Sequence, residues 1–156
     1  TRFVAHDDLD NLTDELIDTI YQTNWRGAFA MIRALHPFLK ASGEGVIVNI
    51  SSIAGRTGNG SNVAYCASKA AMDSMTRSLG RALAPAVRVV SVAPGLVAGK
   101  YTDILDPAWN EAQRQSTPLM RLATADDVAR AVVAVARDLT FSTGCILPVD
   151  GGRPLT

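Results

Sequence analysis

Cysteine and histidine are both scarce in this chain, two of each in 156 residues. Cys66 and Cys145 lie far apart without metal-ligand spacing, which predicts two small buried hydrophobes in a reducing compartment rather than a disulfide. His6 and His36 stand alone, so a zinc site has nothing to build on and no metal is expected. Excess charge of one sign is also missing: 15 Lys plus Arg balance 15 Asp plus Glu, for a net charge of +0. No whole-protein field draws such a chain to nucleic acid or to an acidic membrane surface. No apolar run approaches the roughly 18 residues of a membrane span. The opening residues Thr1-Arg-Phe-Val-Ala-His6 lack the basic-then-apolar layout of a signal peptide. The expectation is a cytoplasmic protein, and the sequons at Asn11, Asn49 and Asn59 carry no weight without a leader. Internal repeats, low-complexity segments and interdomain linkers are absent as well.

What is present is the composition of a packed domain, 47% apolar and 19% charged. From Leu12 to Leu39 the pattern is helical, with Leu16, Ile20, Ala28, Ile32 and Leu35 as its apolar stripe and acidic residues early. Ser42-Gly-Glu-Gly45 stops it, and Val46-Ile-Val-Asn-Ile50 reads as a short buried strand. A Ser/Gly/Asn-rich loop from Ser51 to Asn62 precedes a second helix over Val63 to Leu83. Val87 to Val92 reads as another strand, ended by Pro94-Gly95, and Leu96 to Met120 is irregular and partly helical. Thr124-Ala-Asp-Asp127 is a variant capping box opening a helix with the stripe Val128, Ala131, Val132, Val135 and Leu139. Ile146 to Val149 is the last strand.

Alternating helices and strands predict an α/β fold with a parallel sheet covered by helices. Three strands serve about four helical segments, and the chain opens on a helix. A parallel sheet needs both faces covered, so a three-stranded piece leaves a face and an edge open. The pattern is that of a doubly wound fold represented by one half.

Tyr65 and Lys69, in Tyr65-Cys-Ala-Ser-Lys69, share one helix face by their four-residue spacing. A Tyr phenol with a pKa near ~10 is a poor acid or base at neutral pH. A neighbouring ammonium and the positive end of the helix favour the phenolate. Bringing the phenol to neutrality takes roughly 4 kcal/mol of preferential phenolate stabilisation. Such a group is poised to protonate a carbonyl oxygen that becomes an alkoxide on hydride attack. Alone, a Tyr and a Lys one turn apart are more often an amphipathic face, and the surroundings decide. Ser51-Ser52 follows a buried strand, where α/β folds place ligand-binding groups, and Ser52 stands 13 positions before Tyr65. Its hydroxyl can donate to the same developing oxyanion, or simply close a turn. Asn24 falls on the stripe of the first helix, where it satisfies a backbone group or holds a water near Lys69. Pro94-Gly95 either breaks a strand or lets backbone amides approach a flat ligand.

Asn24, Asn49-Ile-Ser-Ser52, Tyr65-x-Ala-Ser-Lys69, Ala93-Pro94-Gly95, Arg121-Leu-Ala-Thr-Ala-Asp-Asp127 and Val149-Asp-Gly-Gly152 together resemble the short-chain dehydrogenase/reductase family in order and spacing. The resemblance spans nearly the whole chain and points toward 3-oxoacyl carrier-protein reductases and related enzymes. It implies that residues 1–156 are the C-terminal catalytic part of one Rossmann-like domain, beginning just after that family's N-N-A-G segment. It also implies an oxidoreductase that interconverts a ketone and a secondary alcohol with NAD or NADP. Tyr65 would be the general acid/base, Lys69 would hold the nicotinamide ribose and lower the Tyr65 pKa, and Ser52 would polarise the substrate carbonyl. Asn24 would support Lys69 through a water. Pro94, Gly95 and Val97 would line the nicotinamide pocket, with Val97 backbone at the carboxamide. Lys100 to Met120 would form a mobile lid. A homotetramer built on the helices after Leu12 and Val63 and on the last strand is implied as well.

Two features depart from that family. Its glycine-rich turn T-G-x-x-x-G-x-G is not in the sequence, and Gly58-Asn-Gly60 is no substitute because it leads into the second helix. Gly99 stands where the family usually has a cofactor-contacting Thr, a contact Thr102 could take over after a local shift. The alternative expectation is a non-catalytic remnant or assembly subunit.

Overall fold

A computed structural model describes residues 2–155 of the chain. Thr13 caps the first helix, its Oγ1 accepting from the Leu16 amide at 3.4 Å. Helix α1, Asp14–Tyr21, passes through a six-residue π-helical turn, Gln22–Gly27, into α2, Ala28–Ser42. The single helix expected over Leu12 to Leu39 is therefore one rod with a wide turn inside it. Gly43, at φ 76°, ends it in the left-handed conformation that glycine adopts freely. There follow β1 (Gly45–Ile50), α3 (Ala54–Thr57), α4 (Val63–Ala82) and β2 (Val87–Pro94). The remaining elements are α5 (Lys100–Asp103), α6 (Pro107–Gln115), α7 (Ala125–Arg137), β3 (Ile146–Val149) and a terminal 3-10 turn, Arg153–Leu155.

The three strands form a parallel sheet in the order β1-β2-β3. Side chains alternate across it. The odd-numbered Ile47, Val87 and Val89 pack with Ile32 of α2 and Met72 and Met75 of α4. The even-numbered Val46, Val48, Val90 and Val92 meet Val128, Val132 and Val135 of α7. The central strand is fully enclosed, Val89, Val90 and Val92 being 0% exposed. β1 has no neighbour on its outer side among the described residues, and Ile50 at its end is 45% exposed. Helices thus cover both faces of the sheet, so the expected open face is not found, while the outer edge of β1 stays open as strand counting predicts.

Polar side chains also join the layers. Asn49 donates to Thr76 Oγ1 at 2.9 Å, and that hydroxyl lies 2.8 Å from Ser91 Oγ, all three residues being buried. On the even-numbered face Arg88 reaches the C-terminal end of α7. Its Nη1 and Nη2 donate to the carbonyls of Val135, Ala136, Leu139 and Ser142 at 3.0 to 3.3 Å. Those of Val135 and Ala136 belong to the last turn of α7, whose carbonyls a helix end leaves without partners, and a cation also suits the negative end of the helix.

Three expectations are corrected. Leu35 lies on the outer face of α2 with Met31 and Phe38, because β1 reaches only the Ile32 side. Leu139 follows the last turn of α7 and is 39% exposed, its carbonyl rather than its side chain making the inward contact. Cys145 is exposed just before the edge strand β3, whereas Cys66 is buried; both are free thiols. No helix among the described residues is long and apolar enough to cross a membrane.

Candidate active site

The C-terminal ends of β1 and β2 carry the site. Asn62 starts the adjoining helix: its Oδ1 accepts from the Tyr65 amide at 2.7 Å and its Nδ2 donates to the Arg2 carbonyl at 2.8 Å. This cap places Tyr65 and Lys69 in the first two turns of α4, on one face. Ser52 approaches from β1, where its Oγ accepts from the Ala54 amide at 3.1 Å and so begins α3.

Two glycines let α3 lie directly on α4. A Cβ on Gly55 would stand 2.8 Å from the carbonyl carbon of Lys69 and 2.8 Å from the amide nitrogen of Ala70. A Cβ on Gly60 would meet Cys66 Sγ at 2.9 Å and Tyr65 Cδ1 at 3.1 Å. Both positions require a bare backbone. The result sets the Ser52 hydroxyl beside the Tyr65 phenol, close enough to pull the phenol pKa down. The Lys69 ammonium lies 5.7 Å from the centre of the Tyr65 ring and donates to the Ile50 carbonyl at 2.8 Å.

Asn24 sits in the π-helical turn, and its Nδ2 donates to Ser68 Oγ at 3.0 Å. Ser68 is fully buried and in turn donates to the Tyr65 carbonyl at 2.8 Å. Asn24 therefore ties the first helix to the turn of α4 that carries Tyr65 and Lys69. Such wide turns recur at functional sites because they re-aim a side chain.

The electrostatics differ from the sequence expectation at Tyr65. Burial raises the phenol pKa above its ordinary value, and the hydrogen bond from Ser52 only partly offsets this. The Cys66 thiol adds a small push in the same direction as burial. The expected lowering by Lys69 does not win, because this ammonium is itself desolvated and engaged with Ile50. Burial lowers the Lys69 pKa, opposed by the charge of Asp73.

At the end of β2 the Gly95 amide donates to the Val149 carbonyl at 3.0 Å, and a Cβ there would meet Asp150 Cα at 3.0 Å. The glycine thus serves the packing of β3. The Pro94 carbonyl accepts from the Ile53 amide at 3.1 Å. Val97 differs from both. The Ala123 backbone bonds flank it, with Ala98 N to Ala123 O at 2.8 Å and Ala123 N to Leu96 O at 3.1 Å. In that parallel arrangement the amide and carbonyl of Val97 itself face the other way, with no partner among the described residues. Thr102, 2% exposed, closes onto Gly99 through two 2.9 Å hydrogen bonds, so its hydroxyl is committed to starting α5.

Sequence reasoning did not single out Asn62, Ser68, Ser51 or Asp73. Asn62 carried a readable signal, a capping residue before an apolar-periodic run. Ser68 and Ser51 acquire partners, and Asp73 its burial, only through the docking of α4 on β1 and the first helix.

Comparison with known proteins agrees with this architecture. The family model described as enoyl-(acyl carrier protein) reductase matches residues 2–153. A ketoacyl reductase named for the granaticin polyketide synthase of Streptomyces violaceoruber is 41% identical over 158 residues, covering 99% of this chain and 63% of that protein. The short-chain dehydrogenase/reductase homolog YusR of Bacillus subtilis is 40% identical over 134 residues, covering 83% of this chain and 99% of that protein. The crystal structure of a 3-oxoacyl-[acyl-carrier protein] reductase from Brucella melitensis superposes with a TM-score of 0.85 at 32% identity, covering 90% of this chain and 53% of that one. The chain spans 63% of the granaticin reductase and about half of the Brucella enzyme. Sheet order, helix placement and these matches agree: the chain belongs to the short-chain dehydrogenase/reductase family.

Proposed function

We propose that this chain is the catalytic part of an NAD(P)-dependent oxidoreductase that interconverts a ketone and a secondary alcohol. The observation that carries the reading is the meeting of the Ser52 hydroxyl, the Tyr65 phenol and the Lys69 ammonium at the ends of two parallel strands. Tyr65 gives its proton to the oxygen of the reduced carbonyl, or takes it in the reverse direction. A phenol with a raised pKa holds that proton at neutral pH but gives it up less readily, so the donor role needs the phenolate stabilised as the proton leaves. Ser52 donates to the same oxygen as charge builds on it. Lys69 has further donor positions beyond the one given to Ile50, and its charge favours the phenolate left after transfer. Asn24 holds the turn of α4 in place.

The donor set fits a nicotinamide dinucleotide. The free amide and carbonyl of Val97 match the acceptor and donor of a carboxamide, and the remaining Lys69 protons match ribose hydroxyls. In this reading Pro94, Gly95 and Tyr65 would complete the nicotinamide pocket. When bound, the dinucleotide supplies or accepts the hydride. The phosphate-binding half of such an enzyme corresponds to residues outside this sequence, and a homo-oligomer, a tetramer by family resemblance, is part of the same reading.

The test is to follow oxidation of NADH and NADPH by the purified protein with a 3-oxoacyl thioester as the first ketone. Turnover that Lys69→Ala abolishes is the expected result. Absence of both dinucleotide binding and turnover supports the alternative, a non-catalytic member or assembly subunit.

A further inference from the structure

We propose that Asp73 is a positioning residue for Lys69: its buried carboxylate, one helical turn away and beside Ser51, keeps the ammonium charged. The proposal rests on the reading of Lys69 as part of the site. Side-chain alternation in β1 carries past its end, so Ser51 faces α4 as Ile47 and Asn49 do. Its Oγ donates to the Lys69 carbonyl at 3.4 Å, and the same hydroxyl pulls the Asp73 pKa down. Asp73 stands one turn after Lys69 and is 5% exposed, with Oδ1 buried and without a hydrogen-bond partner.

A carboxylate held this way works against folding. Burial raises its pKa, against the pull of the Ser51 hydrogen bond, Arg77 and Lys69 in that order. Arg77 is at the surface, where salt screens it. Lys69 is half-buried, and Asp73 is the group that opposes the loss of its charge.

The carboxylate also lines a cavity of about 450 Å³ shared with Ser52, which gives it access to water. The titratable and charged groups around Asp73 are Lys69 and Arg77 on α4, Arg56 on α3, and Cys145 before β3.

The experiment is an NMR titration of the purified protein labelled at lysine Cε, with Lys69→Arg assigning the signal against Lys40 and Lys100. Asp73→Asn should lower the Lys69 midpoint by about half a pH unit or more. Asp73→Glu should keep that midpoint, and Ser51→Ala should move it the same way by less. An unchanged midpoint in Asp73→Asn overturns the proposal. Should that variant not fold, the unsubstituted protein decides. Its Lys69 signal must then show a second, smaller inflection as Asp73 is protonated, and a flat acid limb overturns the proposal equally. None of these readouts uses turnover, so failure of the functional reading, seen as unimpaired turnover in Lys69→Ala, is a separate result.

Discussion

Gly55 lies against the backbone of Lys69 so closely that a single added Cβ would come within 2.8 Å of the Lys69 carbonyl carbon. That approach brings the segment after β1 onto α4, and with it Ser52 to Tyr65. Gly55→Ala should therefore lift α3 off α4, costing about 1–3 kcal/mol of stability and separating the two hydroxyls. Urea unfolding measures the first effect and the ultraviolet titration of Tyr65 the second, since loss of Ser52 removes what pulls the phenol pKa down.

Ser52→Ala alone should raise the Tyr65 midpoint further above its ordinary value of 10.0, because burial is then unopposed by that hydrogen bond. The Tyr65→Phe difference spectrum separates this signal from Tyr21 and Tyr101. The sign for stability follows. The unfolded phenol ionises first, so the contribution of Tyr65 is intact below pH 10 and is lost as pH rises through the higher folded midpoint.

Asp73→Asn should raise the melting temperature at neutral pH. The folded Asp73 pKa lies above the ordinary 3.8, so the buried carboxylate favours folding only in its protonated form. Its cost appears as pH rises above about 4. Melting curves of the two proteins should converge on the acid side and part on the neutral side. A variant less stable at pH 7 would mean that the carboxylate earns its place structurally.

Arg88→Met keeps the aliphatic stem but leaves the carbonyls of Val135, Ala136 and Ser142 without their side-chain donor, the Leu139 carbonyl keeping the Ser142 amide. A loss of about 2–3 kcal/mol is expected in urea unfolding. Faster amide exchange should be confined to the last turn of α7.

The elements were readable where one physical cause dominates. Ile146–Val149 has the bounds expected from its apolar run. Thr124 and Asp127 make the predicted reciprocal cap, with Thr124 Oγ1 accepting from the Asp127 amide at 3.1 Å and Asp127 Oδ2 from the Thr124 amide at 2.7 Å. Periodicity failed at Leu35 and Leu139 because it records which residues share a face, not how far the covering element extends. The π-helical turn around Asn24 has no compositional mark. Of the candidate site, spacing and strand-end position marked Tyr65, Lys69 and Ser52 only as one reading among two, and the family resemblance singled them out. Asp73 was not, because a carboxylate on a helix reads as solvated until the register of α4 on β1 is known.

The central claim is that Tyr65 moves the proton while the hydride travels, and kinetics of Tyr65→Phe test it most directly. The account predicts a fall in kcat of about 10²–10⁴-fold with dinucleotide affinity changed by less than about twofold. Turnover equal to that of the unsubstituted protein would contradict it.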